Sequence, residues 1–298
     1  MDAMKKSLTS KTRAILIAHI FGSRFSLDPV LNFAEANDLM VIEDCAQAFS
    51  GMTYTGERRA DVSMFSFGSI KTATSFGGAL IRVNNLTILE EMKRRERRYP
   101  SQTNVFFFKK LLKYGVFHGE ILSAYANHDQ VITSAIRGFS GGELVSLLQF
   151  RPSMALLGLL HHRLVHFDDP YIQLRKLKSE QLRDGIANIP NVHIPAHHAE
   201  EHVYWLFPVM VPSPQHVVNY MSKHGFDVTS GATQLAFVPS PLGPEHDPKN
   251  AKFLMTQSVP AFLLLRILVY LPVTAEMPDW ALKKMIQCFR TAVTSSRL

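Results

Sequence analysis

Apolar residues run almost unbroken through "RAILIAH" (13–19) and "MVIED" (40–44), the pattern of strands buried on both faces. Between them, "SLDPVLNFAEANDL" (26–39) repeats apolar residues at helical spacing, with Ser26 placed as a cap and Pro29 in the first turn. The chain therefore opens β-α-β, the unit of a parallel sheet. In such sheets ligands lie beyond the carboxyl ends of the strands, where Asp44 stands. A turn at Gly56 precedes a strand at about 62–67, and "GALIRVNN" (78–85) reads as the next strand.

Further along, the rhythm becomes helical. "LTILEEMKRRERRY" (86–99) is a charged helix, and residues 104–165 are helical by periodicity with a break at "RGFSGGE" (137–143). "PYIQLRKLKSEQLRDGIANI" (170–189) is a long amphipathic helix. "EHVYWLFPVMVP" (201–212) reads as an aromatic strand, with Tyr204, Trp205 and Phe207 as core of a second domain. "SPQHVVNYMSKHG" (213–225) is a capped helix ending at glycine, "RILVYLPV" (266–273) a strand, and "MPDWALKKMIQCFRTAV" (277–293) a closing helix. Mixed α/β order resumes near 165–170, which divides the chain into a large domain, 1–165, and a smaller one, 166–298.

Composition narrows the function classes. The 298 residues are 46% hydrophobic and 19% charged, enough for a sizeable core and against global disorder. The net charge of +7 gathers partly in "KRRERRY" (Lys93–Tyr99), which reads as the solvated face of a helix. No aromatic-rich basic stripe or zinc-finger spacing accompanies it, so nucleic acid is not the expected partner. Cys45 and Cys288 stand far apart and form neither a disulfide framework nor a metal cluster, which points to a reducing, cytoplasmic compartment. The N-terminus lacks the shape of a signal peptide. The most apolar stretches, 144–160 and 259–272, are broken by arginine and proline and do not read as membrane spans. Histidine pairs at 161–162 and 197–198 lack a Cys or carboxylate cluster, so no metal site is expected.

Three features close in sequence carry chemistry together: "EDCAQA" (43–48), "FSFGSIK" (65–71) and the Gly77-Gly78 pair. Alone, the Asp is a helix cap, the Lys a solvated loop residue and the Gly-Gly a turn. Together they supply a carboxylate, a candidate nucleophilic amine and a small hydroxyl-rich loop. That set suits a cofactor with a cationic ring nitrogen, a reactive aldehyde and a phosphate, which is pyridoxal 5'-phosphate.

On these residues the sequence resembles the DegT/DnrJ/StrS family of PLP-dependent sugar aminotransferases. The "VIEDCAQA" stretch, the Ser66-to-Lys71 spacing and "FGGALI" carry the resemblance most specifically. "KTRAILIAHIFG" (11–22), "HVYWLFPV" (202–209), "HGFDVTSGATQLA" (224–236) and "YLPVTAEMP" (270–278) follow in order. The resemblance implies a type I PLP-transferase fold, aspartate-aminotransferase-like, with an α+β C-terminal domain. It implies Lys71 as the Schiff-base lysine and proton shuttle, Asp44 at the pyridine nitrogen, Gln47 against the ring or its 3′ oxygen, and Ser66 on the phosphate. A nucleotide-linked keto-sugar, an amino-acid donor and a homodimer are implied with it.

The sequence also departs from the family pattern. A Gly-Thr helix start and a ring-stacking aromatic have no counterpart here, which makes the large domain N-terminally incomplete in this reading. "LQFRPS" (148–153) is the nearest match to the family's GxNxR stretch, with Gln149 in place of Asn and Arg151 retained. The expectation is an aminotransferase. The alternative is a catalytically incompetent homologue acting as a partner subunit.

Overall fold

The computed structural model describes residues 1–122, 149–231, 235, 261 and 263–295. The helix break placed at 137–143 lies outside the described residues. Two compact units divide the chain: Met1–Pro170 with Ala199–Trp205, and Tyr171–His198 with Leu206–Leu298.

The first unit is built on a four-stranded sheet. A short helix, α1 (Asp2–Ser7), leads to β1 (Ala14–Ala18), β2 (Ser23–Arg24), α2 (Asp28–Ala36), β3 (Met40–Asp44), β4 (Val62–Ser66) and β5 (Ala79–Val83). The strand order is β1-β3-β4-β5, with β1, β3 and β4 parallel and β5 antiparallel to β4. These are the strands that the apolar runs predict. The entry into α2 differs in detail: its N-cap is Leu27 without a side-chain bond, and the Ser26 hydroxyl accepts from the Asp28 N–H at 3.4 Å.

Alternate strand residues point to opposite faces, and here the faces are unequal. Val41, Glu43, Ser63 and Phe65 are buried on one. There α2 packs Leu31 and Ala34 against Val41 and Ala60, flanked by Ile15 and Ile17. The other face carries Ala14, Leu16 and Ala18, then Met40, Ile42 and Asp44, then Val62, Met64 and Ser66, then Ala79, Ile81 and Val83. None of these is buried, and Leu16 is 65% exposed.

Three helices follow: α3 (Leu86–Glu96), α4 (Asn104–Leu122) and α5 (Met154–Val165). Asn85 caps α3, accepting from the N–H groups of Thr87 and Ile88. No residue of α3 is buried, and Glu90 and Glu91 pair with Lys93, Arg94 and Arg95. Lys93, Arg94 and Arg95 thus form a solvated helix face paired with Glu90 and Glu91. Among the described residues no helix is long and apolar enough to cross a membrane.

The second unit contains most of α6 (Asp169–Ile186), then β7 (Phe207–Met210), α7 (Pro214–Lys223), β8 (Leu268–Leu271) and α8 (Asp279–Ser295). β7 and β8 pair antiparallel, and every residue of β8 is buried. Ser213, the residue before α7, makes no capping bond.

The aromatic run 201–212 is not one strand. It divides into β6 (Glu201–His202) and β7, and Tyr204 between them adopts a left-handed φ of 47°. β6 pairs with β2 in the first unit, and Trp205 belongs to that unit rather than to the core of the second.

Candidate active site

Lys71 lies in the loop that joins β4 to β5. Phe67 anchors this loop: its N–H donates to the Gly78 carbonyl at 3.0 Å, and its carbonyl accepts from Ser75 and Gly77 at 3.1 and 3.0 Å. The Phe67 ring is fully buried among Cys45, Ala48, Phe49, Phe65 and Leu160. Ala73 and Phe76 hold left-handed φ angles of 55° and 59°, a costly conformation that persists where the surroundings impose it. Gly78 closes the loop at φ 81°, and a Cβ there would meet Leu156 Cδ2 at 3.0 Å.

Around this loop the structure gathers three of the four predicted residues. Asp44 ends β3 and Ser66 ends β4, on the same unburied sheet face and at its C-terminal edge. Asp44 Oδ1 accepts the Ala46 N–H at 2.8 Å. Ser66 and Lys71 flank Gly68: a Cβ at that glycine would lie 3.8 Å from Ser66 Oγ and 3.9 Å from Lys71 Cγ. Burial holds the Lys71 ammonium below its ordinary pKa, while the Asp44 charge opposes the shift. Among the described residues, the neighbouring buried Thr72 Oγ1 has no hydrogen-bond partner.

Gln47 is engaged elsewhere. Its Oε1 accepts the Phe21 N–H at 2.6 Å and so supports a left-handed residue, Phe21 at φ 62°. Of the GxNxR-like pair, Gln149 is exposed. Arg151 is tied to the chain beside α4: its N–H donates to the Pro100 carbonyl at 2.8 Å and its Nε–H to the Tyr99 carbonyl at 2.9 Å.

Two features were not assigned by the sequence. One is Trp205, whose ring centroid lies 4.5 Å from Lys71 Nζ. Its residue type was visible, but its placement depends on long-range pairing between β2 and β6. The other is the Glu43 network on the buried face. Glu43 accepts from the Tyr54 hydroxyl, the Glu57 N–H at 2.8 Å and the Ser63 hydroxyl at 2.7 Å, and it pairs with His19 Nε2 at 2.8 Å. Burial alone would raise its pKa, but these bonds overcome that effect and hold it at about 2. Gly56 makes room for the network: at φ 98°, a Cβ there would lie 2.2 Å from Ser63 Oγ.

His19, Glu43 and Cys45 also bring potential metal-ligating atoms within 4.8 Å of one another. Both Glu43 oxygens are already bonded, and burial, followed by the Glu43 charge, pushes the Cys45 thiol up so that it keeps its proton. With its oxygens so occupied, Glu43 serves as a structural anchor between β1, β3 and β4.

Residues 1–115 match the model of the DegT/DnrJ/EryC1/StrS aminotransferase family. The chain is 34% identical over 90 residues to GDP-perosamine synthase of Escherichia coli O157:H7, a match covering 29% of this chain and 24% of that protein. It is 25% identical over 228 residues to dTDP-3-amino-3,4,6-trideoxy-alpha-D-glucose transaminase of Streptomyces venezuelae, covering 75% and 50% respectively. The chain thus spans between a quarter and a half of the length of these relatives. Among solved structures it resembles the aminotransferase TlmJ of Streptoalloteichus hindustanus, with a TM-score of 0.65 and 12% identity over 99% of this chain and 70% of that one. The fold is therefore aspartate-aminotransferase-like, and residues 1–115 are similar to the DegT/DnrJ/EryC1/StrS aminotransferase family.

Proposed function

We propose that the chain carries the lysine-bearing part of a pyridoxal 5'-phosphate-dependent sugar aminotransferase site. The observation that carries this reading is the convergence of Lys71, Ser66 and the buried, unpartnered Thr72 hydroxyl on one loop, with Asp44 at the adjacent strand end. These residues fit the cofactor chemically. A half-buried lysine with a lowered pKa offers a neutral amine as nucleophile. Ser66 and the small-residue loop offer hydroxyl and backbone donors to a phosphate. When bound, the cofactor supplies an electrophilic carbon and an electron-accepting ring.

In this reading Lys71 Nζ would hold the cofactor and, once displaced from it by the substrate amine, would move a proton at the substrate carbon. Asp44 holds a proton on the ring nitrogen, and Ser66 Oγ binds the phosphate. Gln47 would lie against the ring or its 3′ oxygen, with its Oε1 accepting the Phe21 N–H. The acceptor is a keto-sugar, probed first as its nucleotide-linked form, with glutamate or glutamine as donor. The protein acts as a cytoplasmic homodimer. The sugar class rests on the relatives, whose names describe perosamine and amino-trideoxyglucose chemistry.

The test is binding of pyridoxal 5'-phosphate followed by visible absorbance. A band that appears with the native chain and vanishes in Lys71→Ala supports the reading. No band in the native chain, or an unchanged band in the variant, overturns it.

The unburied sheet face favours a second reading, that of a partner subunit. Asp44 and Ser66 stand on that face, beside the exposed Leu16 and Ile81. A sheet of this kind is usually covered on both sides. If the isolated chain is inactive but gains activity on mixing with a full-length relative, the partner reading holds.

A further inference from the structure

Trp205 makes two different contacts with consecutive residues of the lysine loop. Its indole N–H donates to the Ile70 carbonyl at 3.0 Å, and its ring face lies under Lys71 Nζ at 4.5 Å. Its own place is set by main-chain pairing. The Trp205 N–H donates to the Phe21 carbonyl at 3.0 Å, and the Val203 N–H to the Gly22 carbonyl at 2.9 Å. Phe21 is in turn held by Gln47, three residues beyond Asp44. One bonded series therefore runs from the end of β3 through Gln47, Phe21 and Trp205 to the lysine loop.

The loop needs such a tie at this point. The Ile70 side chain is 63% exposed. The Phe67 bonds fix the loop's two ends, and the Tyr114 hydroxyl reaches Ser69 Oγ at 3.0 Å. The indole bond secures the carbonyl immediately before the lysine.

We infer that Trp205 is a positioning residue for Lys71: its N–H clamps the loop at Ile70 and its ring covers the amino group. An aromatic face attracts the protonated amine by cation–π interaction. The same ring excludes water and favours the neutral form. The burial that lowers the Lys71 pKa is consistent with the second effect prevailing. The other titratable groups near this loop are Asp44 from β3, and Lys110 and Tyr114 from α4. The functional weight of the inference rests on the cofactor reading above, but its geometry exists in the chain alone, so it is tested without cofactor.

The measurement is reductive methylation of the cofactor-free protein with formaldehyde and cyanoborohydride, read by peptide mass spectrometry across pH. Lys93 on exposed α3 serves as the internal standard. Trp205→Leu removes both ring and donor, whereas Trp205→Phe keeps a ring and removes only the donor. The expected result is an upward shift of the Lys71 pH midpoint in Trp205→Leu by about half to one unit, a roughly three- to tenfold loss of neutral amine at a given pH. Trp205→Phe, the milder change should the leucine variant not fold, shifts it less. An unchanged midpoint in the folded variants overturns the inference and leaves Trp205 as packing.

A parallel addition of pyridoxal 5'-phosphate to the native chain separates the two claims. A midpoint shift without cofactor capture at Lys71 sinks the cofactor reading and keeps the inference. Cofactor capture with an unmoved midpoint does the reverse.

Discussion

Glu43 and Asp44 are adjacent carboxylates on one strand, and the pleat sends them to opposite faces of the sheet. Glu43 is fully buried and is bonded by His19, Tyr54, Ser63 and the Glu57 N–H. Asp44 is only partly buried, and its carboxylate takes a single hydrogen bond, from the Ala46 N–H, among the described residues. The first carboxylate is consumed by the fold, which joins the ends of β1, β3 and β4 through it. The second is left available at the strand end, on the face it shares with Ser66. A carboxylate with its acceptors occupied holds structure together, and one with acceptor capacity to spare can meet a ligand.

The largest expected effect lies on the buried side. Glu43→Ala strands His19, Tyr54 and Ser63 without their common partner, and should cost about 3–5 kcal/mol in denaturant unfolding. If the loss is below about 1 kcal/mol, the network is not the anchor described. Acid should act through the same group. Its folded pKa of about 2 lies below the ordinary 4.5, so its contribution is fully present above about pH 4.5. That contribution, about 3 kcal/mol, is lost as the pH falls from 4.5 toward 2. Glu43→Gln should flatten this part of the stability–pH curve, and an unchanged slope would contradict the assignment.

A paired substitution compares the faces directly. Leu31→Ala, on the buried face of α2, should cost about 2–5 kcal/mol. Leu16→Ser, on the unburied face, should change stability by about 0.5 kcal/mol or less. Equal losses would mean that Leu16 is covered in solution. The smallest expected stability change is that of Asp44→Asn, within about 1 kcal/mol. In the proposed function the same variant should still capture cofactor, while amino transfer falls by about a hundredfold or more. A large drop in melting temperature with intact turnover would reverse the roles given to the two carboxylates.

Much of this arrangement is legible in the sequence, for local reasons. The apolar runs at 13–19 and 40–44 and the alternation at 62–67 give strands whose ends place Asp44 and Ser66. The spacing from Ser66 to Lys71 fits one short loop. What is not legible depends on distant pairing. "HVYWLF" reads as one strand, yet the left-handed Tyr204 interrupts it, and the β2–β6 ladder carries Trp205 to the lysine. Gln47 has the residue type of a ring contact, but nothing local shows that its Oε1 also accepts the Phe21 N–H from the turn after β1. Glu43 carries no local sign that four donors separated in sequence will converge on it.

The central claim is that Lys71 is the residue that takes the cofactor. The direct measurement is peptide mapping of the native chain after incubation with pyridoxal 5'-phosphate and reduction with borohydride. The account predicts a single phosphopyridoxyl modification, on the peptide containing Lys71. Modification spread over surface lysines such as Lys93, or none at Lys71, would contradict it.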